Sequence, residues 1–205
     1  MAINTIYLDG GVLKSANRTF SSQAPKNIRL ENFFQKAVFK LLQNKLHNAE
    51  YSLRFHPYKY KYFIAKSKEI DSFLKGRYFD MMVKKVIGLD KYKMSYEIRK
   101  FKPGCYTLLH DAEKEKEGVD FIIDFSKLDT YFGGYTTYLT ETEELLTLSP
   151  KTNTLSFVER KNKVMKYTLD AENKAIGRVA TQAAVFLQGK NTPLFAKNKI
   201  PAITV

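Results

Sequence analysis

Apolar positions recur every three or four residues in two stretches of the first half of the chain. The first runs from Leu30 to about Leu46 and has the stripe of an amphipathic helix. The second spans about Ser67 to Ile87, with an interruption near Gly76 and an end at Gly88, a residue typical of helix termini. Both stripes predict helices that pack against a core.

A period of two marks most of the remaining chain. Residues Tyr51 to Ile64 alternate between apolar and polar or basic side chains, which predicts a strand interrupted at Pro57. After Gly88 further alternating runs follow, separated by Pro, Gly and Ser turns: Tyr96 to Phe101, Tyr106 to Leu109, Val119 to Phe125, Tyr135 to Leu139, Glu144 to Leu148 and Thr154 to Val158. Short strands that follow helices predict an α+β fold, a double-stranded β-helix (jelly-roll) with buttressing N-terminal helices.

The two ends of the chain have patterns of their own. Residues 1–26 contain Gly10-Gly11 and a Ser/Asn/Thr-rich stretch, which predicts a short N-terminal strand or hairpin and a loose lead-in. Residues 165–205 predict a C-terminal strand-helix-strand appendage, with its strands at Met165 to Asp170 and Ile200 to Val205 and its helix at Ile176 to Leu187. The predicted organisation is therefore a lead-in (1–26), a central domain (27–164) and a C-terminal segment (165–205).

The chain is strongly basic. It has 205 residues, of which 44% are hydrophobic, so it can bury a core. Lysine and arginine number 34 against 21 acidic residues, which gives a formal charge of +13. Such an excess favours a polyanionic partner such as nucleic acid, although on charge alone a merely basic protein remains an equal alternative.

Cysteine content and the N-terminal sequence bear on the compartment. A single cysteine, Cys105, excludes an internal disulfide framework and favours a reducing compartment, with the thiol partly buried. Residues Met1 to Phe20 contain no apolar run of the length that a signal peptide or membrane span needs. The expected location is the cytoplasm, with no membrane partner.

Four segments in order carry a family resemblance. They are "YEIRKFKPGCYTLLHD" at Tyr96 to Asp111, "VDFIIDF" at Val119 to Phe125, "FGGY" at Phe132 to Tyr135 and "ELLTLSPKTNTLSFVER" at Glu144 to Arg160. With the preceding helices, they make the region from about Asn27 to Val164 resemble the prolyl-hydroxylase-like branch of the 2-oxoglutarate/Fe(II) oxygenase superfamily.

This resemblance implies candidate ligands for iron and 2-oxoglutarate. These oxygenases hold iron with a His-x-Asp/Glu pair and a later histidine. His110 and Asp111 are the metal candidates, although the position two residues after His110 is Ala112, and no histidine follows His110. Arg160 is the candidate 2-oxoglutarate ligand. We assign no catalytic residue and expect no cofactor, with Fe(II) and 2-oxoglutarate required only if the chain is an enzyme.

The C-terminal segment carries a second resemblance. "MKYTLDAENKAIGRVATQAAVFLQGKNTPLFAKNK" from Met165 to Lys199 resembles the beginning of bacterial large-subunit ribosomal protein thirteen, in truncated form. In that family this part packs on ribosomal RNA, which implies phosphate contacts for basic side chains. The candidates for RNA binding are Lys174, Arg178, Lys190, Lys197 and Lys199.

Three interpretations of the whole chain follow. The preferred one is a non-catalytic oxygenase-like scaffold (a pseudoenzyme) that is linked to a ribosomal-protein segment and binds the ribosome or rRNA. The alternative is a Fe(II)/2-oxoglutarate dioxygenase that acts on a prolyl or other side chain of a protein substrate, for example a ribosomal protein. In the third, the tail has no joint function and "VMKYTL" at Val164 to Leu169 replaces the domain's own final strand.

An aromatic and basic stretch adds one further hypothesis. Residues Tyr51 to Tyr62 interleave aromatic side chains with Arg54, Lys59 and Lys61, a combination that can clamp single-stranded nucleic acid. Strand periodicity offers a second explanation, in which tyrosines pack inward and lysines point outward. We favour the second explanation.

Overall fold

The computed structural model describes residues 2–57, 59–107, 117–127, 134–139, 144–160 and 165–169. A short 3-10 helix, Thr5–Leu8, comes first. The helices are α1 (Gly10–Ser22), α2 (Lys36–His47), α3 (Lys68–Leu74) and α4 (Arg77–Ile87). The strands are β1 (Asn27–Glu31), β2 (Ser52–His56), β3 (Tyr60–Ala65), β4 (Ile98–Lys100), β5 (Tyr106–Thr107), β6 (Gly118–Asp124), β7 (Tyr135–Leu139), β8 (Glu144–Leu148), β9 (Thr154–Arg160) and β10 (Met165–Leu169). The fold is therefore a mixture of helices and strands, as predicted.

The N-terminal residues contain a helix, so the predicted strand or loose lead-in over residues 1–26 is wrong. Asp9 caps α1, because its Oδ1 accepts hydrogen bonds from the backbone N–H groups of Gly11 (2.8 Å) and Val12 (2.9 Å). The two glycines thus lie in the first helical turn and not in a hairpin. The buried face of α1 is formed by Leu13, Ala16 and Phe20.

The helix predicted from Leu30 begins later than expected. Leu30 lies in β1, and α2 starts only at Lys36. Between the two elements, Asn32 adopts a left-handed backbone with φ of 49°, which ends the strand. Phe33 and Phe34 are buried, as the apolar stripe indicated, but they reach the core from an extended segment.

Asn153 fixes this extended segment in place. The carboxamide of Asn153 accepts from the N–H of Phe34 (2.9 Å) through Oδ1 and donates to the Phe34 carbonyl (3.0 Å) through Nδ2. The Asn153 carbonyl also accepts from the N–H of Phe33 at 2.9 Å. Asn153 is itself buried and has a left-handed backbone with φ of 54°. The turn before β9 therefore supplies the hydrogen bonds that a strand partner would otherwise give.

The second predicted helix is confirmed, and so is the strand interruption at Pro57. The helix breaks at Gly76, which separates α3 from α4, and it ends at Gly88, whose φ of 73° gives the left-handed terminus that glycine favours. The strand predicted over Tyr51 to Ile64 is interrupted beside Pro57 and folds back on itself as β2 and β3.

Two antiparallel sheets form the β portion. The three-stranded sheet has the order β1-β9-β6. The seven-stranded sheet has the order β2-β3-β5-β10-β7-β8, and β4 pairs with β3 off this path. Strand β10 lies hydrogen bonded between β5 and β7, on the far side of the predicted junction at 164/165. The domain boundary itself stays a prediction, and the helix and last strand expected after Leu169 lie outside the described residues.

The alternation of β9 directs side chains into two environments. Leu155 and Phe157 join the main core, which also contains the buried faces of all four helices. Val158 faces the opposite way and packs with Tyr138 of β7, so that contact joins the two sheets. Cys105 is buried, as expected of its thiol. Among the helices of the described ranges, none has the length and apolarity needed to cross a membrane.

Candidate functional site

A large cavity lies among the described strands. Its volume is about 1430 Å³. Strands β6 and β9 of one sheet bound it, together with β4, β5 and β7 of the other and the segment 89–97. Helices α2, α3 and α4 also line it, so the cavity lies between the helices and both sheets.

An ion pair at the end of this cavity joins β6 to β9. The Nε of Arg160 donates to Asp120 Oδ1 at 3.0 Å, and both side chains are largely buried, at 16% and 18% exposure. The second carboxylate oxygen, Oδ2, accepts from the Tyr138 hydroxyl at 3.1 Å. Tyr138 is fully buried. Both oxygens of Asp120 are thus engaged, one by a side chain of the adjacent strand β9 and one by a side chain of β7 in the other sheet.

Strand register explains why these groups meet. Antiparallel pairing places Gly118 opposite Arg160 and Asp120 opposite Val158, so the carboxylate lies diagonally beside the guanidinium on one face. A Cβ added at Gly118 would lie 3.4 Å from an Arg160 terminal nitrogen. The absence of a side chain at Gly118 therefore leaves the guanidinium room to lie across the strand.

Most of the ligands predicted from the sequence fall outside the described residues. His110 and Asp111, the metal candidates, are among them, and so are all the RNA-binding candidates: Lys174, Arg178, Lys190, Lys197 and Lys199. Arg160, the candidate 2-oxoglutarate ligand, is described and lines the cavity. Its partner there is Asp120.

The described residues alone do not provide the donors of an iron site. Iron in this superfamily takes imidazole nitrogens together with a carboxylate. Of the described histidines, His47 lies 3.3 Å from the Nζ of Lys127, and His56 packs against the ring of Tyr60. Within the described ranges, no three His, Cys, Asp or Glu residues are grouped to hold a metal ion. Any iron site must therefore draw on residues beyond those ranges.

Two tyrosines of the cavity wall are held as neutral donors. Burial, together with a 2.7 Å hydrogen bond donated to Asp71, raises the pKa of Tyr96 to about 12. Burial and a hydrogen bond to Asp80 raise the pKa of Tyr92 to about 12. The bond from Lys75 lowers the pKa of the Asp71 carboxyl, so Asp71 accepts from Tyr96 as a carboxylate. This part of the wall consists of fixed hydrogen-bonded pairs.

Asp120 and Tyr138 were not singled out by the sequence reasoning. The pattern "VDFIIDF" predicts a strand but does not identify the partners of its two acids. Each has a specific role, since Asp120 binds Arg160, while Asp124 accepts from the N–H groups of Ser126 (2.7 Å) and Lys151 (2.8 Å). An acid in the middle of an otherwise apolar strand was the available indication of a buried partner.

Residues 58–177 match the family model described as "Oxoglutarate and iron-dependent oxygenase degradation C-term". The chain belongs to this family. The match includes strands β3 to β9, and it continues past the predicted junction through β10. The oxygenase-like resemblance of the central region is therefore confirmed at the level of the family.

Curated relatives of the chain include two prolyl 3-hydroxylases. Prolyl 3-hydroxylase OGFOD1 of Mus musculus is 30% identical over 84 residues, which cover 39% of this chain and 15% of the mouse protein. Prolyl 3-hydroxylase OGFOD1 of Xenopus laevis is 33% identical over 94 residues, which cover 42% of this chain and 18% of that protein. The matched segments thus span less than a fifth of each relative.

A solved structure has a similar fold. The crystal structure of a Pseudomonas putida prolyl-4-hydroxylase superposes with a TM-score of 0.58 at 12% sequence identity. The superposition covers 78% of this chain and 92% of the hydroxylase chain. At this level of identity, the likeness is one of fold alone.

Proposed function

We propose that the chain is a non-catalytic oxygenase-like scaffold that binds the ribosome or ribosomal RNA through its C-terminal segment. We also infer that its two sheets form the jelly-roll of this superfamily. The observation that carries the non-catalytic part is the Arg160–Asp120 pair. The ribosomal part rests on the basic C-terminal sequence.

The ion pair changes what Arg160 offers to a ligand. An arginine that binds a dicarboxylate co-substrate presents its charge and its planar fork of N–H donors to that ligand. Here Asp120 accepts from Nε at 3.0 Å, with both side chains mostly buried, so a carboxylate of the protein balances the guanidinium charge. A second anion would approach an arginine that is already neutralised. This arrangement supports a structural role for Arg160.

The histidine content also supports a non-catalytic role. The facial triad of the superfamily needs a histidine after the His-x-Asp/Glu pair. The chain has three histidines, at positions 47, 56 and 110, so none is available after His110. The position that completes the first pair is Ala112, which has no ligating atom. Both departures support a scaffold over an iron enzyme.

Binding to purified ribosomal subunits tests the ribosomal part. In co-sedimentation at physiological salt we expect the full chain to bind. A variant with glutamine at Lys174, Arg178, Lys190, Lys197 and Lys199 should bind at least about tenfold more weakly. Each phosphate contact that is lost means that fewer counterions are released on binding, and this release favours binding. The salt dependence of the affinity should flatten in the same variant.

A charge-matched variant provides the control. Lys14, Lys36, Lys40, Lys68 and Lys85 are exposed on the helices. Changing them together to glutamine removes the same charge from a different surface, and we expect near-normal binding. Equal losses in the two variants, or no binding by the unaltered chain, would refute a ribosomal role for the C-terminal segment.

The competing function is a Fe(II)/2-oxoglutarate dioxygenase acting on a protein side chain. It is supported by the family match and by His110. Anaerobic calorimetry with Fe(II) and 2-oxoglutarate separates the two functions, and for a scaffold we expect no saturable heat. Tight binding that His110→Ala abolishes, and that the control His47→Ala leaves intact, would overturn the non-catalytic proposal. It would also require an unusual third ligand.

A further inference from the structure

One face of the β2–β3–β4 region combines exposed apolar side chains with lysines. Strand pairing places Leu53 opposite Phe63 and Phe55 opposite Lys61. On its other side, Phe63 pairs with Lys100 of β4. Directly paired residues of antiparallel strands project from the same side of a sheet. We call this surface, together with the adjoining side chains that lie on it, the Phe55 face; its residues are Tyr51, Leu53, Phe55, Lys61, Phe63, Lys100 and Lys102.

The opposite side of these strands is engaged within the protein. Tyr62 is buried there, with the Arg99 guanidinium 4.7 Å from its ring centre. Arg54 and Arg99 both form ion pairs with Glu97. A carboxylate of the chain therefore engages both arginines on that side. Tyr62 points inward and Lys61 outward, as the favoured strand explanation predicted, but Tyr51 lies on the outward face.

The Phe55 face carries apolar surface in contact with solvent. Leu53 is 53% exposed and Phe55 is 56% exposed, and they lie two residues apart on β2. Among the described strands, β2 pairs only with β3, so it is an edge strand of that part of the sheet. A flat pair of large apolar side chains on an edge strand is a feature of interaction surfaces, because leaving it in water is unfavourable.

Lysines are held beside this apolar surface. The Nζ of Lys100 lies 4.6 Å from the ring centre of Tyr51, and that of Lys102 lies 4.6 Å from the ring centre of Phe63. These cation–π contacts fix the ammonium groups at the plane of the face. The two segments that build the face, residues 51–65 and 98–107, contain no aspartate or glutamate. The surface is therefore aromatic and uniformly basic.

We propose that the Phe55 face binds single-stranded RNA. Bases stack on exposed aromatic rings, and lysines beside the rings contact the phosphates. An acidic peptide would satisfy the lysines, whereas each nucleotide of RNA brings both a phosphate for a lysine and an aromatic base that can stack on Phe55, so the combination favours RNA. The inference rests on the proposed function for the kind of partner, and it assigns a second surface, far in sequence from the C-terminal segment.

The experiment uses the full chain and a fluorescein-labelled oligouridylate of about 10 nucleotides, within the ~4–16 nucleotides of known single-stranded sites. Fluorescence anisotropy should show Phe55→Ala binding about tenfold more weakly than the unaltered chain, because one stacked base is lost. Lys61→Gln and Lys100→Gln should each reduce the salt slope by about 0.7. Tyr78→Ala is the matched control, since Tyr78 is an aromatic residue of α4 that is 51% exposed. The affinity of this variant for the oligonucleotide should equal that of the unaltered chain.

Each other outcome has a defined meaning. Equal losses in Phe55→Ala and Tyr78→Ala, or equally tight binding of a duplex of similar length, would overturn the inference. Tight binding of polyglutamate that depends on Phe55, without binding of oligouridylate, would identify an acidic peptide instead. If the glutamine variant of the C-terminal segment loses oligouridylate while Phe55→Ala keeps it, the Phe55 face is refuted and the proposed function stands. The converse result supports the Phe55 face even if ribosomal subunits are not bound.

Discussion

Asn153→Ala is expected to lower the free energy of unfolding by about 3 kcal/mol. The substitution removes the two side-chain hydrogen bonds that pair the N–H and C=O of Phe34. Phe34 is only 1% exposed, so water cannot replace either bond, and each unsatisfied backbone group costs about 1–3 kcal/mol. Alanine also bears the strain of a left-handed backbone, about 1–2 kcal/mol. Urea denaturation followed by circular dichroism measures the change.

Two further variants separate the causes. Asn153→Gly keeps the left-handed backbone without strain but loses the same hydrogen bonds, so we expect it to lower the free energy of unfolding by about 2 kcal/mol. Asn32→Ala introduces only backbone strain, at an exposed residue with φ of 49°. We expect it to lower the free energy of unfolding by about 1 kcal/mol. If Asn153→Ala costs no more than Asn32→Ala, the bonds to Phe34 contribute nothing, and the role given to Asn153 is wrong.

Asp120→Asn should destabilise the protein by about 2 kcal/mol. The change keeps the size of the side chain but removes the charge that balances Arg160. Breaking a fully buried pair costs about 3–5 kcal/mol, and the partial exposure of this pair, 16% and 18%, reduces the expected cost. Tyr138 also loses a charged acceptor inside the protein. The same denaturation assay measures this loss.

A double-mutant cycle distinguishes the pair from unrelated effects of the two substitutions. The double variant Asp120→Asn/Arg160→Gln should lose at least about 1 kcal/mol less unfolding free energy than the sum of the two single variants. The reason is that Asp120→Asn leaves the Arg160 charge unbalanced, and Arg160→Gln then removes that charge. Lys84→Gln is the control, since Lys84 and Asp80 form an exposed pair on α4, with an expected cost of about 0.3–0.5 kcal/mol. Strict additivity in the cycle would show that Arg160 and Asp120 are not coupled.

The elements that the sequence predicted well are those whose geometry follows from local chemistry. Alternation placed β7 and β8 at their observed bounds, because side chains on a strand project to opposite faces with period two. Glycine marked the break between α3 and α4 and the end of α4, since Gly88 adopts a backbone that other residues avoid. These preferences act within a few residues of the chain.

The errors arose where distant residues decide the conformation. The apolar residues Leu30, Phe33 and Phe34 fit a helical stripe, but β1 pairs with β9, and Asn153 holds Phe34 in an extended segment. The β9 partners of β1 and the Asn153 partner of Phe33 and Phe34 lie more than a hundred positions further along the chain, while the Phe33 carbonyl accepts from the N–H of Asn4. In α1, the Asp9 cap and the buried face of the helix outweighed the local preference of two glycines for a turn.

Some properties of the candidate site can also be read from the sequence, and others depend on contacts between distant residues. The sequence alone shows the oxygenase-like family, the three histidines with none after position 110, and the basic charge, because these depend only on which residues are present and in what order. Only the folded chain shows that Asp120 is the partner of Arg160 and that Leu53, Phe55 and the lysines share one exposed face. Strand pairing, and not sequence proximity, sets which charges neutralise each other and which apolar side chains remain in contact with water.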